Sequence, residues 1–182
     1  ELQSGMDAYY QNLIEQMLVS ENENTVCSPI NLYIAFAMLA ETSDGNTRQQ
    51  ILDMLGAQDM DTLRENVSSL WESNYADTPA LKSVLANSLW LDSEESYNDA
   101  TLQRLAEQYY ASTFRGTPGS KEMDQALQTW TDNNTGGLLK EYTKDMAIAP
   151  DTVFELVSTI YYKAMWRENF WEVNTEKETF HG

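Results

Sequence analysis

Between Val153 and Tyr162 the chain runs VFELVSTIYY, a stretch dominated by β-branched, aromatic and aliphatic side chains. A strand with one face in water alternates polar and apolar residues, whereas a near-continuous apolar run of this length belongs to a strand covered on both faces. Glu155 is the only formal charge within it. The segment therefore predicts a central strand, and any fold for this chain has to supply a sheet with a packed layer above and below.

One such layer is announced by residues 30–41. Ser28 is placed to cap a helix with Pro29 at its first position, where the missing N–H costs nothing. Ile30, Tyr33, Ile34, Ala37 and Met38 fall on one side and Leu32, Ala35, Phe36 and Leu39 on the other. A helix apolar nearly all round belongs inside a protein.

The rest of the chain is punctuated by caps and breakers. Ser4 and Asp7 open an amphipathic helix carrying Leu13, Ile14, Met17 and Leu18, which a polar stretch from Glu21 to Asn24 ends. Residues 25–27 read as a very short strand. Gly45 ends the buried helix, Thr47 and Gln50 form a capping-box pair for the next, and Gly56 closes that one. A polar helix follows over 61–73, a breaker at Thr78-Pro79, and an alternating strand over 81–91. Ser96 and Asp99 announce a helix with Leu102, Leu105, Ala106 and Tyr109 on one face. A short strand is expected within 112–119, then helical periodicity over 121–142 interrupted at Gly136-Gly137. Pro150 precedes the final strand. Strands separated by helices, without repeats, describe one mixed α and β domain.

With 182 residues and 42% apolar composition the chain can bury one sizeable core. A net charge of −18 argues against nucleic acid or an anionic membrane as partner, since both would repel it. No run of 18 apolar residues exists, so no membrane span is expected. Glu1 onward lacks the basic start of a signal peptide, and the chain reads as mature or excised. Cys27, the single cysteine, excludes an intrachain disulfide and reads as a small buried hydrophobe. The sequons at Asn66 and Asn133 are three-residue patterns that recur by chance. Catalytic patterns are absent: the only histidine is His181, and no zinc, phosphate-loop or redox motif occurs. Asp59 with Asp61, and Glu94 with Glu95, read as solvated acidic faces. An enzyme is the least supported class, and no cofactor or metal site is expected.

Four blocks in order give the chain a family likeness. Residues 26–56, VCSPINLYIAFAMLAETSDGNTRQQILDMLG, resemble the serpin pattern of Ser-Pro, buried helix, Gly-x-Thr and a short helix ending Leu-Gly. Residues 86–91, ANSLWL, resemble the family's N-x-L-F/W strand, and residues 130–137, WTDNNTGG, its W-x-x-x-x-T-x-G helix end. Ile160, Tyr161, Tyr162, Lys163, Trp166 and Phe170, followed by Thr175, Phe180 and His181, resemble its central strand and following turn. The chain is identified as a member of the serpins, the serine-protease-inhibitor superfamily.

The resemblance implies an α+β fold with helices packed on a large mixed β-sheet, of which residues 1–182 form the N-terminal portion of a single domain. Only the N-terminal helices and about three strands of the central sheet would be present, with the reactive-centre loop and C-terminal half outside. It implies a suicide-substrate protease inhibitor in the complete protein, extracellular or secreted, with a target protease, a serine protease by family, met through that absent loop. A non-inhibitory carrier, binding protein or chaperone of the same fold is the alternative, and the hinge that separates the two lies outside this chain. Site residues follow by resemblance. Ser28 and Pro29 match the shutter that fastens the sheet, where Asn31 stands at a position commonly Ser and Ser158 at one commonly Asn, as though the two had exchanged roles. Trp166 matches the tryptophan of the breach, where the loop first enters, and is expected to be partly or wholly buried. The strand 153–162 would lie centrally, its free edge paired with the remaining C-terminal part of the protein or with another copy.

Overall fold

The computed structural model describes residues 2–17, 26–168 and 171–179. Four helices come first: α1 (Leu2–Met17), α2 (Pro29–Thr42), α3 (Gly45–Leu55) and α4 (Met60–Asn74). A short strand β1 (Ala76–Asp77) turns through Thr78 into the long β2 (Leu81–Asp92). Helix α5 (Asp99–Tyr109), strand β3 (Ala111–Gly116), helix α6 (Lys121–Asn134), the single turn α7 (Lys140–Thr143) and strand β4 (Phe154–Ala164) follow, with a 3₁₀ turn at Glu172–Asn174.

Helices α2 to α6 each start at a side-chain acceptor for their free amides, whereas the single turn α7 has none. Ser28 stands in extended conformation and accepts the N–H of Asn31, with Pro29 inside the first turn. Asp44, not the Thr47–Gln50 pair, opens α3 by accepting from Gly45, since a carboxylate one residue outside the helix reaches the free amides directly. Asp59, expected on a solvated face, caps α4 through Thr62. Asn98 rather than Ser96 caps α5, and Ser120 caps α6. Helix α1 begins at Leu2, ahead of Ser4. Leu18, Thr25 and the polar stretch from Glu21 to Asn24 lie outside the described residues. Val26 and Cys27 are not in a strand, and Cys27 is exposed rather than buried, because the segment entering α2 runs over the surface.

Strand β2 organises the sheet. It pairs antiparallel with β4 from Leu81–Ala164 to Leu91–Phe154 without interruption, and parallel with β3 from Asn87–Ala111 to Asp92–Gly116. The two-residue β1 adds an antiparallel extension on Ser83 and Lys82. The sheet is therefore mixed, and β4 forms one side of it among the described residues.

Side chains leave the two faces of the sheet into separate cores. One face meets α1 to α5 in a cluster including Tyr33, Met38, Leu55, Leu63, Leu89 and Leu105. The other meets α6 and the segment before β4, where Trp90 packs with Met123, Leu127 and Ile148 and stacks on Phe114 at 4.2 Å. Both layers required by the apolar strand exist, yet β4 is covered only in part. Thr159 is its one buried residue, and Tyr162 is 66% exposed. Helix α6 passes over one stretch of the strand, and its second edge meets no strand among the described residues.

Candidate functional site

Helix α2 points its capped start at the middle of β4. The Ser28 hydroxyl donates to Asn31 Oδ1 at 3.0 Å, while Ser28 Oγ accepts the Asn31 amide at 3.4 Å. The freed side-chain amide of Asn31 then donates from Nδ2 to Ser158 Oγ at 2.9 Å, across 127 residues of sequence. Ser28, Pro29 and Asn31 are half-buried, as is Ser158. Of the five residues singled out in sequence, Ser28, Asn31 and Ser158 form one hydrogen-bonded line from helix to strand, and Pro29 stands beside it in the first turn of α2. The amide of this bond stands on the helix and the hydroxyl on the strand.

Trp166 is not part of that line. It stands two residues past the paired end of β4 and is 74% exposed, so the expectation of burial fails within this chain. The physical reason is register: pairing with β2 closes at Leu81–Ala164, with one further bond from the Met165 amide to Ala80, and the ring belongs to neither core cluster. Phe170, Phe180 and His181 lie outside the described residues.

Beside Ser158, its register partner on β2 is Asn87, 2% exposed, whose Nδ2 donates to the Tyr109 carbonyl at 2.9 Å. Tyr109 leads in turn to a buried charge that sequence reasoning passed over. Glu41, 4% exposed at the end of α2, accepts from Arg64 through both oxygens at 2.8 and 3.0 Å, from Arg104 at 2.7 Å and from the Tyr109 hydroxyl at 3.1 Å. Burial pushes the Glu41 carboxyl up, but the hydrogen bonds from Arg64, Arg104 and Tyr109 and the Arg64 charge outweigh it and hold the group below its ordinary range. Burial, then the neighbouring carboxylate, raises the Tyr109 hydroxyl. Glu41 fastens α2 to α4 and α5 at the end opposite Ser28. Its signal in sequence was available: it is the only charge between Pro29 and Thr42.

The sequons separate by burial. Asn66 is 7% exposed and donates to the Tyr33 hydroxyl at 3.1 Å, whereas Asn133 is exposed on α6.

A buried helix capped by Ser-Pro and bonded to the centre of a four-strand mixed sheet, under a covering helix, is an arrangement with known counterparts. The family model described as "Serpin (serine protease inhibitor)" matches residues 5–182. The chain belongs to the serpin family. Serpin-Z2A of Oryza sativa subsp. japonica is 30% identical over 97% of this chain and 44% of its own length. Antithrombin-III of Homo sapiens is 29% identical over 95% of this chain and 39% of its own. Among solved structures, the native stressed conformation of AtSerpin1 from Arabidopsis superposes with a TM-score of 0.83 at 26% identity, covering all of this chain and 49% of that one. The chain thus spans less than half the length of these curated serpins, and its α+β architecture is that of the corresponding part of the serpin fold.

Proposed function

We propose that the complete protein containing this chain is a protease inhibitor of serpin type, used once as a suicide substrate, and not itself an enzyme. Residues 1–182 supply the N-terminal part of its single domain: the scaffold, the fastening of Ser28, Pro29, Asn31 and Ser158, and Trp166 at the point of loop entry. The observation that carries this reading is the Asn31–Ser158 bond. It ties the core helix to the one long strand whose second edge has no strand beside it among the described residues. Admitting a new strand there requires β4 to shift against α2, so that single bond sits where resistance to opening matters. The second edge is read as the seat of the C-terminal part of the same protein or of another copy, and an extracellular or secreted location belongs to the same reading.

In the reaction so proposed, a target protease's nucleophilic hydroxyl attacks a carbonyl of the reactive loop, the peptide C–N bond breaks, and its nitrogen leaves protonated as a new amino terminus. The acyl ester survives because insertion of the loop deforms the protease before water arrives. The test is incubation of the full-length protein with trypsin-like, elastase-like and subtilisin-like serine proteases and a papain-like enzyme. A covalent complex that resists denaturant is expected with at least one serine protease, and none with residues 1–182 alone. Loop cleavage without any such complex would overturn the inhibitory reading in favour of a carrier or binding protein of the same fold.

A further inference from the structure

Two polar groups that face each other across the β2–β4 pairing each have a hydrogen-bonding position left over. Asn87 and Ser158 are register partners, so their side chains leave the same face of the sheet, toward α2, with Cβ atoms about 4.5–5.5 Å apart. Asn87 is 2% exposed, and its Oδ1 is buried with no donor among the described residues. Ser158 Oγ accepts the Asn31 side-chain amide, and its own hydroxyl hydrogen meets no acceptor among the described residues.

The orientation of Asn87 is fixed from behind. Its Nδ2 donates to the Tyr109 carbonyl at 2.9 Å, at the end of α5, where a helix leaves its last carbonyls without intrahelical partners. Exchanging its oxygen and nitrogen would set Oδ1 against that carbonyl, acceptor against acceptor. Tyr109 is itself held: its side chain is fully buried, its hydroxyl donates to Glu41 at 3.1 Å, and Tyr110, at φ 53°, turns the chain at once into β3. Asn87 therefore presents an oxygen, not an amide, to its other neighbours, and the register places the Ser158 hydroxyl opposite it.

We propose that Ser158 donates its hydroxyl to Asn87 Oδ1, and that Asn87 is a positioning residue for the fastening between α2 and β4. A hydroxyl is a free rotor. With its hydrogen drawn toward β2, its lone pair is turned to the Asn31 amide, and each bond polarises the other. Ser28, Asn31, Ser158, Asn87 and Tyr109 then form one polar chain from α2 through both strands to α5, which returns to α2 at Glu41. The two bonds of Ser158 differ in what they survive. Strands β2 and β4 are paired without a break and shift as one body, so movement of β4 against α2 breaks the Asn31 bond and keeps the Asn87 bond. Asn87 thus sets the strength of the bond to the helix without itself resisting the shift. The proposal deepens the fastening proposed above and rests on that reading for its consequence: loss of Asn87 makes the edge of β4 easier to open.

The experiment measures the coupling between Asn31 and Ser158 in the full-length protein, from urea unfolding of Asn31→Ala, Ser158→Ala and the pair. The cycle is run once with Asn87 present and once in Asn87→Leu, which keeps the branched shape and removes both polar atoms. The coupling is expected to fall below about half its wild-type size in Asn87→Leu. If Asn87 serves only to hold the Tyr109 carbonyl, the substitution destabilises the protein yet leaves the coupling whole, and that result overturns the proposal. Wild type supplies a second test that does not depend on the folding of variants. In a crystal structure of the full-length protein, Ser158 Oγ is expected within about 3.0 Å of Asn87 Oδ1, and a separation beyond about 3.5 Å overturns the bond. Incubating the same wild-type protein with the serine proteases named above keeps the two readings apart. With no covalent complex the inhibitory reading fails and the coupling still decides the role of Asn87; a complex together with an undiminished coupling removes the role of Asn87 alone.

Discussion

Glu41→Gln is the sharpest perturbation available in this chain. The substitution keeps side-chain volume and removes charge from a position 4% exposed, where four hydrogen bonds converge from two guanidinium groups and a phenol. Glutamine offers one oxygen to those donors and turns its own NH₂ toward at least one of them, so roughly half the bonds are lost and a donor meets a donor. Removing one partner of a buried ion pair costs about 3–5 kcal/mol when the other is left dry. Here the arginine side chains retain 24% and 41% exposure, and Arg64 keeps Asp61 at 2.7 Å, so water and Asp61 recover part of the loss. About 2–4 kcal/mol of destabilisation at neutral pH follows. Because the folded Glu41 pKa is lowered, its contribution is present above the unfolded value and lost as pH falls through the folded one, so wild type and Glu41→Gln should converge in acid. Urea midpoints of the full-length protein at neutral and acidic pH measure both effects. A difference below about 0.5 kcal/mol at neutral pH, in the range of ordinary surface substitutions, would refute the claim that Glu41 fastens the three helices.

Ser28→Ala removes an N-cap and the donor to Asn31 and should cost about 1 kcal/mol, while Ser28→Phe, which forces a ring into a packed half-buried site, should cost clearly more in thermal unfolding. Gly136→Ala should destabilise by about 1–2 kcal/mol, because Gly136 has φ of 60° and an added Cβ would stand 2.6 Å from the Tyr161 ring; an unchanged melting temperature would show that the loop leaving α6 does not rest on that ring. Asn31→Ser and Ser158→Asn should each break the helix-to-strand bond, and the double variant should regain stability relative to their sum, a coupling read from a double-mutant cycle.

The parts of the fold legible in sequence were those decided by local chemistry. Ser28-Pro29 announced the start of α2, the Gly136-Gly137 interruption separated α6 from α7, and β2 was found to within a residue of its end. Errors of position arose where two residues compete for one role: Asp44 took the cap from the Thr47–Gln50 pair, and Asn98 took it from Ser96. The Ser28–Asn31–Ser158 line was legible through family resemblance, since nothing local ties residue 31 to residue 158. Glu41 went unread because its partners, Arg64, Arg104 and Tyr109, come from two other helices, and only tertiary packing shows that an apparently terminal carboxylate is buried.

Strand β4 shows a different kind of gap between sequence and structure. Its composition demands cover on both faces and both edges, yet Phe154 and Ile160 are over a third exposed, and Tyr162 is 66% exposed. A strand meant to stand at an edge is blunted by proline, a bulge or inward charges. In β4 the register is unbroken over eleven residues, no proline occurs, and the one charge directed at a core is Glu155. Natural edges of that length and apolarity invite pairing with any free strand. The composition therefore belongs to an interior strand, and the same absence of protection that would make it a hazard alone makes it able to accept a neighbour along its full length. On the inhibitory reading proposed above, what limits acceptance is not the strand but what holds it, the Asn31 amide bonded to Ser158 behind it, a single contact that one substitution removes.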